Sequence, residues 1–206
     1  MNWLKKFWNF LKEDSWTSMI VTLLLLVVII KFIFFPLLSL ITGSALPLVV
    51  IESCSLYHGD NFDSWWELQG RWYENRDISK SEFEEFPFRE GMNKGDIIFV
   101  FGRGDYELGD IIIFQANPNS KARHPIIHRI VSLNPIGTKG DHNPGQLVSL
   151  KSNNAENIDE TDIPEERIIG KSVVRIPVLG WIKLVFFEVW KDISGSGVNG
   201  DAWFCS

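Results

Sequence analysis

Two hydrophobic rhythms divide the chain. From Met19 to Ile41 the sequence reads MIVTLLLLVVIIKFIFFPLLSLI, an apolar run broken by a single charge, Lys31. Beyond residue 45 the apolar residues come in short bursts: LPLVVIE (46–52), DIIFVFG (96–102), DIIIFQA (110–116), IIHRIVSL (126–133), QLVSLKS (146–152) and SVVRIPV (172–178). Gly, Asn, Asp and Pro bound these bursts, which is how a mainly β domain, a small barrel or sandwich, is written. The run is long enough to cross a hydrocarbon core of about 30 Å at about 1.5 Å per residue. A lysine within a span costs roughly 3 kcal/mol, and the apolar residues outweigh it when each returns about 0.3 to 0.6 kcal/mol. Lys31 lies toward one end, where its head can snorkel.

Residues 61–92 follow a different period. DSWWELQGRWYEN sets Trp65, Leu68 and Trp72 at helical spacing behind an Asp/Ser cap, and SKSEFEEFPF spaces Ser79 and Glu82 as a capping box, with Pro87 as a stop. This predicts a Trp-rich helical insertion on the β scaffold, its aromatics packed as a lid, with contact to membrane or substrate as the alternative. Ahead of the span, Trp3, Leu4, Phe7, Trp8 and Leu11 share one helical face near Lys5, Lys6 and Lys12, the pattern of a helix lying in an anionic interface. Near the C-terminus, GWIKLVFFEVWKDI is too short for a second span and reads as an interfacial or packed helix.

The resulting organisation is an amphipathic segment (1–16), an anchor (17–41), a β domain (46–185, carrying the insertion) and a tail (186–206). Lysines before the span place the N-terminal side in the cytoplasm and the β domain outside. Gly43-Ser44-Ala45 resembles a small-residue cleavage site, but the apolar run exceeds a signal-peptide core of about 7 to 15 residues, which favours a retained anchor.

Composition narrows the function. A net charge of −6, with no Lys/Arg cluster outside the N-terminal segment, argues against nucleic acid as a partner. No Gly-rich phosphate motif is present. The two cysteines, Cys54 and Cys205, make neither a disulfide framework nor metal-ligand spacing, and whether they pair is not readable from the sequence. His124 and His128 fall on one face of a strand, but no third metal ligand accompanies them.

Strand ends carry candidate hydrolytic residues: Ser53 and Ser55 in IESCSLYHGD, His128 in IIHRIV, Asp141 in TKGDHN and Asp159 in NIDETDIPEE. A serine nucleophile needs a base, a group orienting the base, and donors for the oxyanion. Taken alone, each of these residues also reads as a turn former or a packed core residue.

The ordered run VVIESCS, GDIIFV, GDIIIF, IIHRIV, TKGDHN and IPVLG resembles the type I signal peptidase family, in the archaeal and endoplasmic-reticulum version with a histidine base, over residues 20 to 185. The resemblance implies that Ser55 is the nucleophile and His128 the general base. Ser53 would help bind the oxyanion, and Asp141 would orient His128. Asp159 matches the second family acid, with Asp162 as its substitute. It implies an extended substrate beside the 46–55 strand, touching Val50, Ile51 and Leu56, with signal-peptide-bearing preproteins as substrates. No metal or cofactor is required and membrane lipid is the neighbour; whether translocation machinery or accessory subunits take part is not readable from the sequence. Leu56 and His58 depart from the family's Ser-Met-x-Pro, so His58 as an exchanged base, an inactive relative and a non-catalytic anchored scaffold stand as alternatives.

Overall fold

A computed structural model describes residues 2–59, 61–149, 154–182, 184–185 and 205. The chain divides into two compact units, Met1–Gly43 and Ser44–Ser206. The expected tail (186–206) lies outside the described residues except for Cys205.

In the first unit, α1 (Asn2–Leu11) is amphipathic and leaves Trp3, Leu4, Phe7 and Trp8 exposed. A 27-residue helical run, Trp16–Thr42, follows and is long and apolar enough to cross a membrane. It comprises α2 (Trp16–Ile29), a π-helical turn (Ile30–Phe34) and α3 (Phe35–Thr42). Ser15 caps its start by accepting the Ser18 N–H, and Gly43 ends it in the left-handed conformation, φ 69°. The π turn ends two residues before Pro36, whose ring lacks an N–H and crowds the preceding turn; the Phe35 N–H reaches back to the Ile30 carbonyl.

The second unit is built on one antiparallel sheet of six strands in the order β1-β2-β6-β3-β4-β5. These are β1 (Leu48–Val50), β2 (Ile97–Phe101), β3 (Ile111–Phe114), β4 (Ile126–Leu133), β5 (Ile136–Lys139) and β6 (Ile168–Ile176). The mainly β expectation therefore holds, and β1 is an edge strand. Residues 146–149 are not a strand, although alternation pointed to one; their backbone partners Glu160 instead. The segment 136–139, too short and polar to stand out, is β5.

The two Gly-Asp-Ile-Ile stretches share one device. Asp96 and Asp110 each accept the N–H of the residue three before, Asn93 at 2.9 Å and Glu107 at 3.0 Å, closing the turn that launches β2 or β3. Each then meets a cation of β6 between them: Lys171 to Asp110 at 2.8 Å and Arg175 to Asp96 at 3.7 Å.

The insertion forms α4 (Phe62–Glu74) and α5 (Lys80–Glu84), capped by Asn61 and by Ser79. Its buried stripe is Phe62, Trp65, Trp66 and Tyr73, joined by Phe83 of α5 and Val131 of β4. The expected stripe was rotated: Leu68 is 82% exposed. Five aromatics recur between 62 and 73, and the face holding four of them wins the core because each buries far more area than one leucine. The other two core clusters are Ile51, Leu56, Met92, Ile98, Val100, Ile111 and Ile113, and Ile112, Phe114, Ile126, Ile130, Ile158 and Ile163.

Candidate active site

Alternation along β4 sends consecutive side chains to opposite faces of the sheet. Ile126, His128 and Ile130 turn to one face, while Arg129 and Val131 turn to the other, toward the aromatic helices. That division decides which acid meets which base.

On the Arg129 face lies Asp141. Its carboxylate accepts from Arg129 Nη2 at 2.7 Å and Nε at 3.0 Å, from the Tyr73 hydroxyl at 3.0 Å, and from His58 Nε2 at 2.9 Å. Arg129 also donates to the carbonyls of Pro87, Phe88 and Gly109. Lys139 Nζ donates to the carbonyls of Gly140 and Asp141. Arg129, Lys139 and Asp141 are fully buried. Burial alone would raise the Asp141 carboxyl, but the Arg129 guanidinium and the His58 hydrogen bond outweigh it and hold the group well below the usual carboxylate range. Burial pulls Lys139 down to about 8 despite the Asp141 charge, and raises the Tyr73 phenol well above its usual value.

On the other face His128 Nδ1 is hydrogen-bonded to Glu160 Oε1. Glu160 is buried, and its carboxylate also accepts the Thr138 hydroxyl at 3.1 Å and the Leu147 N–H at 2.7 Å. Its backbone joins Leu147 and Thr138, so the segment is laced to β5 at both levels. A carboxylate with these donors can hold an imidazole in one orientation and stabilise its protonated form.

The sequence expectation that Asp141 orients His128 is thus corrected. Asp141 is committed to the guanidinium of the neighbouring strand residue, on the opposite face. Asp159 and Asp162 do not reach His128 either: the Asp159 carboxylate accepts from Thr161, and Asp162 is exposed. Glu160 was overlooked among five nearby acids, although alternation from buried Ile158 would have singled it out as the inward one.

Ser53 and Ser55 come together, hydroxyl to hydroxyl at 3.1 Å, Ser53 exposed and Ser55 half-buried. The Ser55 carbonyl accepts the His142 N–H at 2.8 Å. That turn passes His128 as well, since a Cβ added to Gly140 would stand 2.8 Å from His128 Nε2. The nucleophile candidate and the base candidate therefore border one turn, residues 140–142. Ile51 and Leu56, expected to touch substrate, are core residues, with only Val50 of that set partly exposed. An apolar side chain here is worth more in the core than in a pocket open to water. Cys54, between the serines, is disulfide-bonded to Cys205.

No protein-family model matches the chain. Among curated proteins it is similar to the signal peptidase complex catalytic subunit SEC11 of Colletotrichum graminicola, 27% identical over 119 residues, or 53% of this chain and 64% of that protein. The subunit of the same name from Komagataella phaffii is 24% identical over 109 residues, 47% of this chain and 60% of the relative. That from Pyricularia oryzae is 28% identical over 120 residues, 53% and 64% respectively. The match spans less than two thirds of the length of each. The resemblance read from the sequence thus has homologues of the corresponding name.

Proposed function

We propose that this chain is a membrane-anchored serine endopeptidase that removes signal peptides from preproteins, and that its Ser55 is the nucleophile. The observation that carries the reading is the pairing of His128 with buried Glu160 beside the turn that holds the Ser55 backbone. The name that the relatives share supports the substrate class.

In this reading the preprotein lies extended along the outer edge of β1, which no strand among the described residues covers, and gains backbone hydrogen bonds by strand addition, with Val50 against it. Ser55 Oγ attacks the scissile carbonyl while His128 Nε2 accepts its proton. Glu160 at Nδ1 fixes the tautomer and stabilises the imidazolium. The Ser55 N–H and the Ser53 hydroxyl receive the oxyanion, the hydroxyl turning away from Ser55 Oγ to do so. His128 then protonates the leaving amine, and water resolves the acyl-enzyme with the same base. Asp141 keeps the Arg129 side of the sheet fixed and takes no proton.

The apolar run Trp16–Thr42 is the anchor, with its N-terminal side cytoplasmic and the β unit outside. The anchor holds enzyme and membrane-inserted substrate in the same bilayer and so raises their effective concentration. Because the relatives are named as subunits of a complex, accessory subunits are the expected partners.

The test is cleavage of a secretory precursor by detergent-solubilised protein. Wild type should cut after a small residue, and folded Ser55→Ala and His128→Ala should not. Undiminished cutting by Ser55→Ala would remove the nucleophile and leave an anchored scaffold.

A further inference from the structure

His58 is a buried polar residue that the proposed chemistry leaves unused. It follows the Ser55 turn, yet its side chain is buried, and its ring stacks on Trp65 with centroids 3.8 Å apart and planes 3° from parallel. Nε2 is occupied by Asp141 Oδ2 at 2.9 Å. Nδ1 is buried with no hydrogen-bond partner among the described residues. An imidazole in this position cannot meet a substrate, so it is not an exchanged base. A solvent-excluded nitrogen without a partner is also a poor choice for simple packing, because a carbon ring would fill the site without that loss.

The surroundings leave the ring no second position. Phe62 and Phe83 flank it, and Gly91, at φ 72°, backs it so closely that a Cβ there would fall 2.5 Å from the ring. Its partner Asp141 is itself immobilised by Arg129 and Tyr73. Arg129 follows His128 directly on β4.

The Ser55 turn and the Gly140–His142 turn are joined at three points. The His142 N–H meets the Ser55 carbonyl at 2.8 Å, His142 Nδ1 meets the Tyr57 carbonyl at 3.2 Å, and His58 meets Asp141. The first two end on half-exposed or exposed groups, where water competes. Only the third is buried and anchored to a strand.

We infer that His58 is a positioning residue, the buried tie that fixes the turn bearing Ser55 against the Gly140–His142 turn and thereby against His128. The aromatic helices are its housing: Trp65 holds the ring face, and Tyr73 completes the carboxylate that the ring grips. This rests on the reading of Ser55 and His128 as nucleophile and base.

The experiment uses the full solubilised chain with His58→Phe, which keeps a ring against Trp65 but loses the donor, and His58→Gln, whose amide nitrogen stands near the position of Nε2. Amide hydrogen exchange over residues 53–58 and 140–143 is read beside kcat and KM, with Ser55→Ala as the activity control. His58→Phe should accelerate exchange of the His142 amide by about tenfold, the effect of one lost hydrogen bond, while β3 and β4 stay protected. Its kcat should fall by about tenfold to a hundredfold with KM within about twofold, since a displaced nucleophile affects chemistry more than binding. His58→Gln should recover most of both. If His58→Phe does not fold, His58→Asn replaces it, because its shorter amide cannot reach Asp141 and must show the same loss. Unchanged exchange at 140–143, or equal losses in the donor-bearing and donor-lacking variants, would overturn the tie. A wild type that cuts nothing overturns the peptidase reading instead, and the exchange data still decide whether His58 joins the turns.

Discussion

Glu160 and His128 meet through a buried hydrogen bond at Nδ1, on the face of β4 opposite the one where Arg129 holds Asp141. Two carboxylates thus flank one strand and do different work. Asp141, fully charged and saturated with donors, is a structural counter-ion. Glu160 faces an imidazole whose other nitrogen lies toward the Gly140 turn, so in the proposed mechanism it is the carboxylate that supports His128 as the base.

Substituting Glu160 and its neighbour Asp159 in turn tests which acid serves His128. Glu160→Gln keeps the shape but removes the charge that would stabilise an imidazolium, and should lower kcat by about a hundredfold or more. Asp159→Ala, which removes a carboxylate bonded to Thr161 and not to His128 among the described residues, should leave kcat within about twofold. Both are read from precursor cleavage rates at saturating substrate. A full loss in Asp159→Ala with an active Glu160→Gln would reverse the assignment.

Asp141→Asn should act on stability. It leaves the Arg129 guanidinium buried without a matching charge, at a cost of about 3 to 5 kcal/mol, measurable by denaturant unfolding. The folded carboxyl titrates below its unfolded value of about 3.9, so its contribution is present above about pH 4 and is lost as the pH falls further. The stability gap between wild type and Asp141→Asn should therefore be constant near neutrality and narrow in acid. A gap that widens in acid would contradict the ion pair.

Lys139 gives the opposite signature at high pH. Its ammonium is desolvated in the fold, with a folded value of about 8, while the unfolded chain keeps the ordinary value of about 10.4. Between these two values the unfolded state binds the extra proton, so stability rises with pH. Wild type should gain on Lys139→Met from about pH 8 to pH 10, and the difference should level off above the unfolded value, since every other titrating group is common to both proteins. A flat difference over that window would mean that Lys139 stays fully charged in the fold.

Most of the sheet was legible because apolar bursts between turn residues are a local signal. The IIHRIVSL burst is β4 residue for residue, and both Gly-Asp turns lead into strands. What escaped was set by long-range choices. The stripe of α4 depends on which aromatics the Arg129 face accepts, and its helical period alone equally allowed Leu68. Ser53, Ser55 and His128 were singled out by the ordered motifs of the resemblance, since each alone also reads as a turn former or a packed residue. The carboxylate that meets His128 was not, because which face of β4 an acidic loop approaches is a property of the fold, and the segment 159–162 offers three carboxylates to choose from. His58 was visible as a departure from the proline of the resembled family, but its burial follows only from the aromatic housing that residues 62–83 build around it.

The covalent link between Cys54 and Cys205 was equally beyond the sequence, and it closes a separation of 151 residues. Cross-linking so distant a pair removes conformational freedom from the unfolded chain, worth up to about 5 kcal/mol on the chain-entropy estimate. Cys205→Ser should therefore lower the unfolding midpoint in detergent, and a dithiol reductant should lower the wild-type midpoint to the same value while leaving the variant unmoved. Because Cys54 stands between Ser53 and Ser55, freeing it also puts a thiol beside the proposed nucleophile. A maleimide should then label Cys54 in folded Cys205→Ser and label no cysteine in the unreduced wild type, read as a mass shift on the intact chain. Labelling of both cysteines in the unreduced wild type would show that the bond does not form. Labelling of neither in the reduced protein would show that it forms where no reductant reaches it.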